Sequence, residues 1–272
     1  MSTRSAADKP ARRDAAPHDS ERQILQFEKI HDTYVAHYYD AWSMRYREEF
    51  IFPFISGGMD LNGKWVAELA CGSGQNSLAL RRHFPRIELR GFDISPSACA
   101  DYERNLGFPA RQLDLTKPIA IDETFDLAFV IGGLHHCIAD LPQTLVNVAR
   151  LLRPGGVFVM LEPNCRFFLE SLRKIWYRLD GSFDADTEHA LDHDEILQSV
   201  RQYFRIAPPR YFGGPAYFGV LNSMILRIPL RAKPILSPPL IALERCWNRI
   251  PSRRMHNVFL GRWERTGQPV EA

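Results

Sequence analysis

The sequence predicts an α/β protein built on a doubly wound, seven-stranded sheet, mostly parallel, with an antiparallel last strand. Three observations carry this expectation. Strand-like apolar runs alternate with helix-period segments from Trp65 to Asn164. One of the runs, "FDLAFVIGG", is almost unbroken in its apolar character, as in strands buried on both faces. Gly72 and Gly74 fall in the turn between the first strand and its helix, where a parallel sheet keeps its ligands. At 272 residues the chain holds one large domain with additions rather than two full ones.

Taken in order, residues 1–22 combine Ala, Arg, Asp, Pro and Ser with no large apolar residue after Met1, and read as a disordered tail without a secretory h-region. Residues 23–58 read as a helical lid. Ile24, Phe27, Ile30 and Tyr34 recur at three- and four-residue steps, Tyr34, Tyr38, Tyr39 and Trp42 add aromatic bulk, and Pro53 with Gly57-Gly58 closes the segment. Packing explains those aromatics as well as closure over a ligand does. Residues 59–272 form the main domain. "KWVAELA" predicts a strand, "QNSLALRRHF" a helix, "IELRGFDIS" a strand and "PSACADYERNL" a helix. After "FDLAFVIGG" come the helix "ADLPQTLVNVARLL", stopped by Pro154-Gly155-Gly156, and the strand "VFVMLEP". "FRIAPPRYFG" and "HNVFLGRWER" supply the sixth and seventh strands. Strands joined through helices imply right-handed crossovers, hence a Rossmann-like sheet.

Between the last two strands, residues 215–252 form an apolar helical insertion whose uncharged runs are shorter than the roughly 20 residues a membrane span requires. Two readings stay open for it: helices capping the sheet, or a face at 215–243 that binds an apolar substrate or rests peripherally on a membrane.

Glycine at 72 and 74 lets backbone approach a ligand closely, and two ligand classes use that device, dinucleotides and S-adenosylmethionine. The dinucleotide fingerprint G-x-G-x-x-G is incomplete, because Ser77 occupies its third position. Glu68, four residues before Gly72, would repel a diphosphate and suit a ligand carrying an ammonium and a sulfonium.

Glu68-x-Ala70-x-Gly72-x-Gly74 resembles the first motif of class I S-adenosylmethionine-dependent methyltransferases, with Ala70 where glycine is commoner. "LRGFDIS" resembles the second motif, "RQLDLT" the third, "FDLAFVIGGLHHCIAD" the fourth strand and loop, and "LLRPGGVFVMLEPN" the fifth strand of the ubiquinone- and menaquinone-biosynthesis type. The resemblance implies S-adenosyl-L-methionine as cofactor. It places Asp93 at the ribose hydroxyls and Asp114 at the adenine amino group. The cofactor-binding set it implies is Glu68, Ala70, Gly72, Gly74, Gln75, Asp93, Ile94, Asp114, Leu115 and Ile131, with Tyr38 closing over it and Cys71 as filler.

Methyl transfer is chiefly positioning, and a general base is needed only where the acceptor must lose a proton. His135 and His136, following the fourth strand, are candidates because an imidazole titrates near neutrality; His136 is favoured over His135. Glu162, past the fifth strand, is a third candidate, with loop organisation as its competing role. Tyr177, His189, His193 and Asp194 lie in the segment expected to shape the acceptor pocket. His189 and His193 would form an i, i+4 metal pair on a helix, but a helix capped at Asp192 is preferred and no metal is expected.

The net charge of +2 carries no basic stripe and excludes a nucleic-acid partner as the working reading. Five scattered cysteines without paired spacing suit a reducing cytoplasm. The expected function is methyl transfer to an O, N or C atom of a small, apolar or lipid-like acceptor. The alternatives are a nicotinamide-dependent oxidoreductase and a non-catalytic partner subunit on the same fold.

Overall fold

The computed structural model describes residues 24, 33, 35–179, 189–198 and 200–270. The predicted tail, and Phe27, Ile30 and Tyr34 of the lid pattern, lie outside them.

Helices α1 (Ala41–Phe50) and α2 (Phe52–Ser56) precede the sheet. The Asp40 carboxylate caps α1 by accepting from the Trp42 and Ser43 N–H groups, and Gly57 ends α2 at φ 56°. The alternation then follows the expected order: β1 (Trp65–Leu69), α3 (Gln75–His83), β2 (Glu88–Asp93), α4 (Pro96–Leu106), β3 (Ala110–Gln112), β4 (Phe125–Ile131), α5 (Leu141–Leu151), β5 (Leu152–Pro163) and α6 (Glu170–Leu179). After α7 (His193–Ile196) come β6 (Phe204–Ile206), β7 (Arg210–Phe212), α8 (Lys233–Trp247) and β8 (Val258–Arg265). Local chemistry fits these boundaries. Ser95 caps α4 by accepting from the Ala98 N–H with Pro96 in the first turn, and Asp140 does the same for α5 through Gln143.

The strands lie in the order β3-β2-β1-β4-β5-β8-β6, with β7 also on β8. β1 to β5 are mutually parallel, and β8 is antiparallel to β5, β6 and β7. The predicted sixth strand is two pieces, because Pro208 and Pro209 interrupt the run between them and can donate nothing to a ladder. Among the described residues, eight strands therefore stand where seven were expected.

Alternate residues of the central strands enter two cores. Val66, Leu127, Phe129, Val159 and Leu161 face one, which also takes Tyr46 and Phe50 of α1 and Leu80 of α3. Ala67, Leu69, Ala128, Val130 and Met160 face the other, against Leu145 and Val148 of α5. Burial on both faces is why these strands read as continuous apolar runs. Register aligns the carboxyl ends: Leu69 stands opposite Phe92 and Val130, and Ile131 opposite Leu161. The turns leaving β1, β2, β4 and β5 consequently converge at one edge.

Candidate active site

The turn after β1 is held in left-handed conformations, with φ of 49° at Ala70, 50° at Gly72 and 77° at Gly74. For Ala70 this costs about 1 kcal/mol or more, since its Cβ crowds the following carbonyl. Ala70 is exposed and Gly72 half-buried, so this turn reaches the surface at the carboxyl edge of the sheet. Gly74 is required by packing rather than by a ligand: a Cβ there would lie 2.4 Å from Leu106 Cδ1. Gln75 opens α3 half-buried, and Cys71 is buried with its thiol pushed well up, first by burial and then by its contact with Cys99, so it stays protonated filler.

Asp93, at the end of β2, binds this turn. Its Oδ2 accepts from the Gly72 N–H at 2.9 Å and its Oδ1 from the Ser95 N–H at 2.9 Å. Burial raises its carboxyl above the usual carboxylate range, offset in part by the N–H groups of Ser95, Gly72 and Ile94. The Gly74 N–H is also satisfied, by the Cys71 carbonyl at 3.0 Å. Further along the edge, Asp114 accepts from the Thr116 hydroxyl at 2.6 Å and pairs with Lys117 at 3.0 Å. Although burial pushes the Asp114 carboxyl up, Thr116 and Lys117 bring it below its ordinary value. Ile94 and Ile131 are half-buried at the same edge.

Two residues of the expected cofactor set sit elsewhere. Leu115 packs into the second core at 8% exposure, while its carbonyl is bound by Asn147. Glu68 lies inside β1, two residues from Val66, so strand alternation turns it toward the helices rather than up into the cleft. It is 2% exposed and accepts from Asn76 Nδ2 at 2.9 Å and from the Ser77 hydroxyl at 2.5 Å. Burial is the largest influence on its carboxyl, which is pushed up to about 7 despite those hydrogen bonds. The expected repulsion of a diphosphate by an open Glu68 charge is thus corrected. The carboxylate beside the glycine turn is Asp93.

Glu68 anchors a buried relay that sequence reasoning missed. Tyr102 donates to Ser77 Oγ at 3.1 Å, and Arg47, itself 2% exposed, donates to Asn76 Oδ1 at 3.1 Å. Arg47 also reaches the Tyr38 carbonyl at 3.5 Å and lies 4.8 Å over the Tyr39 ring. That pairing holds the Tyr38-Tyr39 backbone against the start of α3, next to the glycine turn. The stretch is fastened a second time by Lys233, whose ammonium contacts Asp40 and donates to the His37 carbonyl at 2.9 Å and to Ser43 Oγ at 2.8 Å. A charged residue within a helix gives no sequence signal that it is buried; the partners supply that information.

After β4, Gly132 and Gly133 lead into a short 3-10 turn, Leu134–His136. Glu162, fully buried at the end of β5, organises it. The Gly133 and Leu134 N–H groups donate to its Oε1 at 3.0 and 2.8 Å, the His135 N–H reaches its Oε2 at 3.3 Å, and His135 Nδ1 lies 2.8 Å from the same oxygen. So saturated a carboxylate positions the loop and is not placed as a base, which corrects one of the expected catalytic roles. The His135 and His136 rings are 4.1 Å apart. Burial, and then the neighbouring His135, hold the His136 imidazole well below its ordinary value, so it is neutral at pH 7.

The elements expected to shape an acceptor pocket come later in the chain. Asp192 caps α7 through the Asp194 N–H, and His189 lies before the helix, so His189 and His193 do not form the helical i, i+4 pair. Among the described residues no cluster of three or more His, Cys, Asp or Glu could hold a metal. His193 is instead bound by Trp263 Nε1 at 3.3 Å, while the Tyr177 side chain lies outside what is described. Tyr217, from the insertion, was not foreseen. Burial raises its phenol, opposed by its hydrogen bond to Asn222, and its ring lies against Tyr46 of α1 with centroids 6.4 Å apart.

Residues 67–158 match the family described as a methyltransferase domain. A probable phthiotriol/phenolphthiotriol dimycocerosates methyltransferase 2 of Mycobacterium ulcerans is 32% identical over 102 residues, covering 36% of this chain and 39% of that protein. The chain thus aligns with about two fifths of the length of that curated relative. Among solved structures, the cyclase SpnF matches with a TM-score of 0.59 at 14% identity, covering 94% of this chain and 98% of that one. The N-methyltransferase NodS of Bradyrhizobium japonicum, solved with S-adenosyl-L-homocysteine, matches with a TM-score of 0.53 at 12% identity, covering 94% of this chain and all of the other. The segment carrying the motifs therefore matches the methyltransferase-domain family, and the sheet shares the fold of the solved N-methyltransferase.

Proposed function

We propose, from the match of residues 67–158 to the methyltransferase-domain family, that the protein transfers a methyl group from S-adenosyl-L-methionine to an oxygen, nitrogen or carbon of an apolar, lipid-like acceptor. The observation that carries the reading is Asp93 bound to the Gly72 N–H at the carboxyl edge of the sheet. This pairing occupies a donor that a diphosphate would use and sets a carboxylate beside it, whereas a ribose diol gains an acceptor. Exposed Ala70 and half-buried Gly72 leave backbone open to the same edge. An acid at the end of β2 would serve a dinucleotide's ribose equally well, so the oxidoreductase alternative is disfavoured by Ser77 at the third glycine position and by the methyltransferase-domain match of residues 67–158. Fold likeness alone decides nothing here, since a cyclase shares it.

When bound, the cofactor supplies an electrophilic methyl carbon. Asp93 would hold the ribose, Asp114 the adenine side, and the Tyr38-Tyr39 stretch, latched by Arg47 and Lys233, would exclude water. His136, kept neutral, can accept a proton from an acceptor O–H or N–H, with His135 and Glu162 fixing the loop. Positioning supplies most of the rate, up to about 7 to 11 kcal/mol, and the base adds roughly 10²- to 10⁴-fold. The mycobacterial relative's name refers to a lipid, and this chain's exposed apolar insertion supports an acceptor of that class. The test is incubation with methyl-labelled cofactor and lipid, quinone-like or polyketide-like extracts. Label is expected in an apolar product; labelling of none of the fractions would contradict the reading.

A further inference from the structure

Helix α8 is amphipathic in the wrong sense for a surface facing water. Its buried positions are Lys233, Ser237, Ile241 and Glu244, spaced along one helical face, while Ile235, Leu236 and Leu243 are exposed at 78, 41 and 49%. The inward polar groups are held by specific bonds: Lys233 to the His37 carbonyl and Ser43, and Glu244 to the Tyr46 hydroxyl at 2.8 Å and the Gly214 and Ala216 N–H groups at 2.9 Å. Those bonds fix the helix rotation and leave the apolar side outward. A helix on a water-facing surface shows the reverse.

The exposure is confined. Among the described residues, every large apolar side chain at the surface except Trp65 lies on 168–175 or 226–243. In the first stretch Leu172 and Ile175 are 57 and 53% exposed, and in the second Leu226 and Leu230 are 49 and 41% exposed. Phe167, just before the first stretch, packs on Phe218, in the same insertion as the second, with centroids 6.0 Å apart. Patches this concentrated mark an interaction surface.

Charge indicates what covers it. No Asp or Glu occurs from Ile196 to Leu243, and Arg227 and Arg231 are exposed between the apolar residues. Arg227 is held at φ 52° in the turn that also carries Leu226 outward. Apolar side chains interleaved with arginine, with Glu170 at the start of α6 paired to Arg173, complement an anionic lipid interface, where chains meet headgroups.

We propose that this face, built from 226–243 and the start of α6, docks on an anionic bilayer surface. The inference deepens the lipid-like acceptor reading, because the face adjoins the carboxyl edge of the sheet and would admit an acceptor directly from the membrane. No described helix is long and apolar enough to cross a bilayer, so the contact is peripheral.

The test is co-sedimentation of the full chain with phosphatidylcholine vesicles with and without phosphatidylglycerol, at low and high salt. Binding is expected only with phosphatidylglycerol and is weakened by salt. Arg227→Gln and Arg231→Gln should each reduce partitioning about fivefold, and Ile235→Ser combined with Leu236→Ser about tenfold or more. Melting temperature and S-adenosylhomocysteine affinity, measured on each variant, report intact folding. Equal sedimentation of wild type and variants, no sedimentation of wild type, or a concentration-dependent dimer abolished by the variants without vesicle binding would overturn the docking proposal. Failure of vesicle binding with cofactor affinity intact leaves the proposed activity standing, whereas loss of cofactor affinity in the wild type would strike at the activity instead.

Discussion

Glu162 and His135 meet at 2.8 Å across the ends of adjacent strands, and the same carboxylate holds the backbone of the loop that carries both histidines. A fully buried acid bound by several donors makes the loop rigid at the cost of depending on one side chain. Glu162→Gln sets an amide nitrogen against N–H donors and should lower stability by about 1 to 3 kcal/mol. Denaturant melts check the stability, and turnover should fall while S-adenosylhomocysteine affinity changes little. Equal loss of both would place Glu162 in cofactor binding.

His136 is neutral at pH 7 because burial depresses its imidazole. If it takes the acceptor's proton, His136→Ala lowers turnover by roughly 10²- to 10⁴-fold, and the acid limb of kcat/KM in the wild type lies below the ordinary imidazole range. A rate profile and a calorimetric titration of the variant check this. A parallel drop in cofactor affinity would make the residue structural.

Asp93 carries the cofactor assignment. Asp93→Ala should weaken S-adenosylhomocysteine binding by about 1.5 to 3 kcal/mol, the worth of a hydrogen bond to a charged group. Unchanged affinity by calorimetry would remove Asp93 from the site.

Glu68 makes stability depend on pH in a direction opposite to that of a salt-bridged acid. Its carboxyl is raised from 4.5 to about 7 by burial, so between those values the folded chain binds the extra proton and stability falls as pH rises. Over that window the change is of order 3 kcal/mol. Glu68→Gln should flatten this part of the curve, as thermal melts from pH 4.5 to 8 would reveal. Identical slopes in both proteins would contradict the placement of Glu68.

The parallel strands were legible because burial on both faces leaves an apolar run with no alternation to misread, as in Phe125–Ile131. The split of the sixth strand at Pro208-Pro209 was not drawn, although both prolines are visible in the sequence. Asp93 and the histidine loop were read from strand ends. Glu68 falls within the strand read as "KWVAELA", but that run does not by itself say which face a residue takes; sharing the face of Val66 turns Glu68 toward α3. Arg47, Lys233 and Glu244 read as ordinary charged helix positions; only partners distant in sequence, such as Asn76 for Arg47 and Asp40 for Lys233, reveal them as internal. Tyr217 was hidden for the same reason, inside a segment read only as apolar.

The central claim is that the edge between Gly72 and Asp93 takes a sulfonium nucleoside in preference to a diphosphate. Titrating the purified chain by calorimetry with S-adenosylmethionine, S-adenosylhomocysteine and NADH tests it most directly. Micromolar binding of the two sulfur ligands, with no heat from NADH, is the predicted result. Saturable NADH binding with none for either sulfur ligand would contradict it.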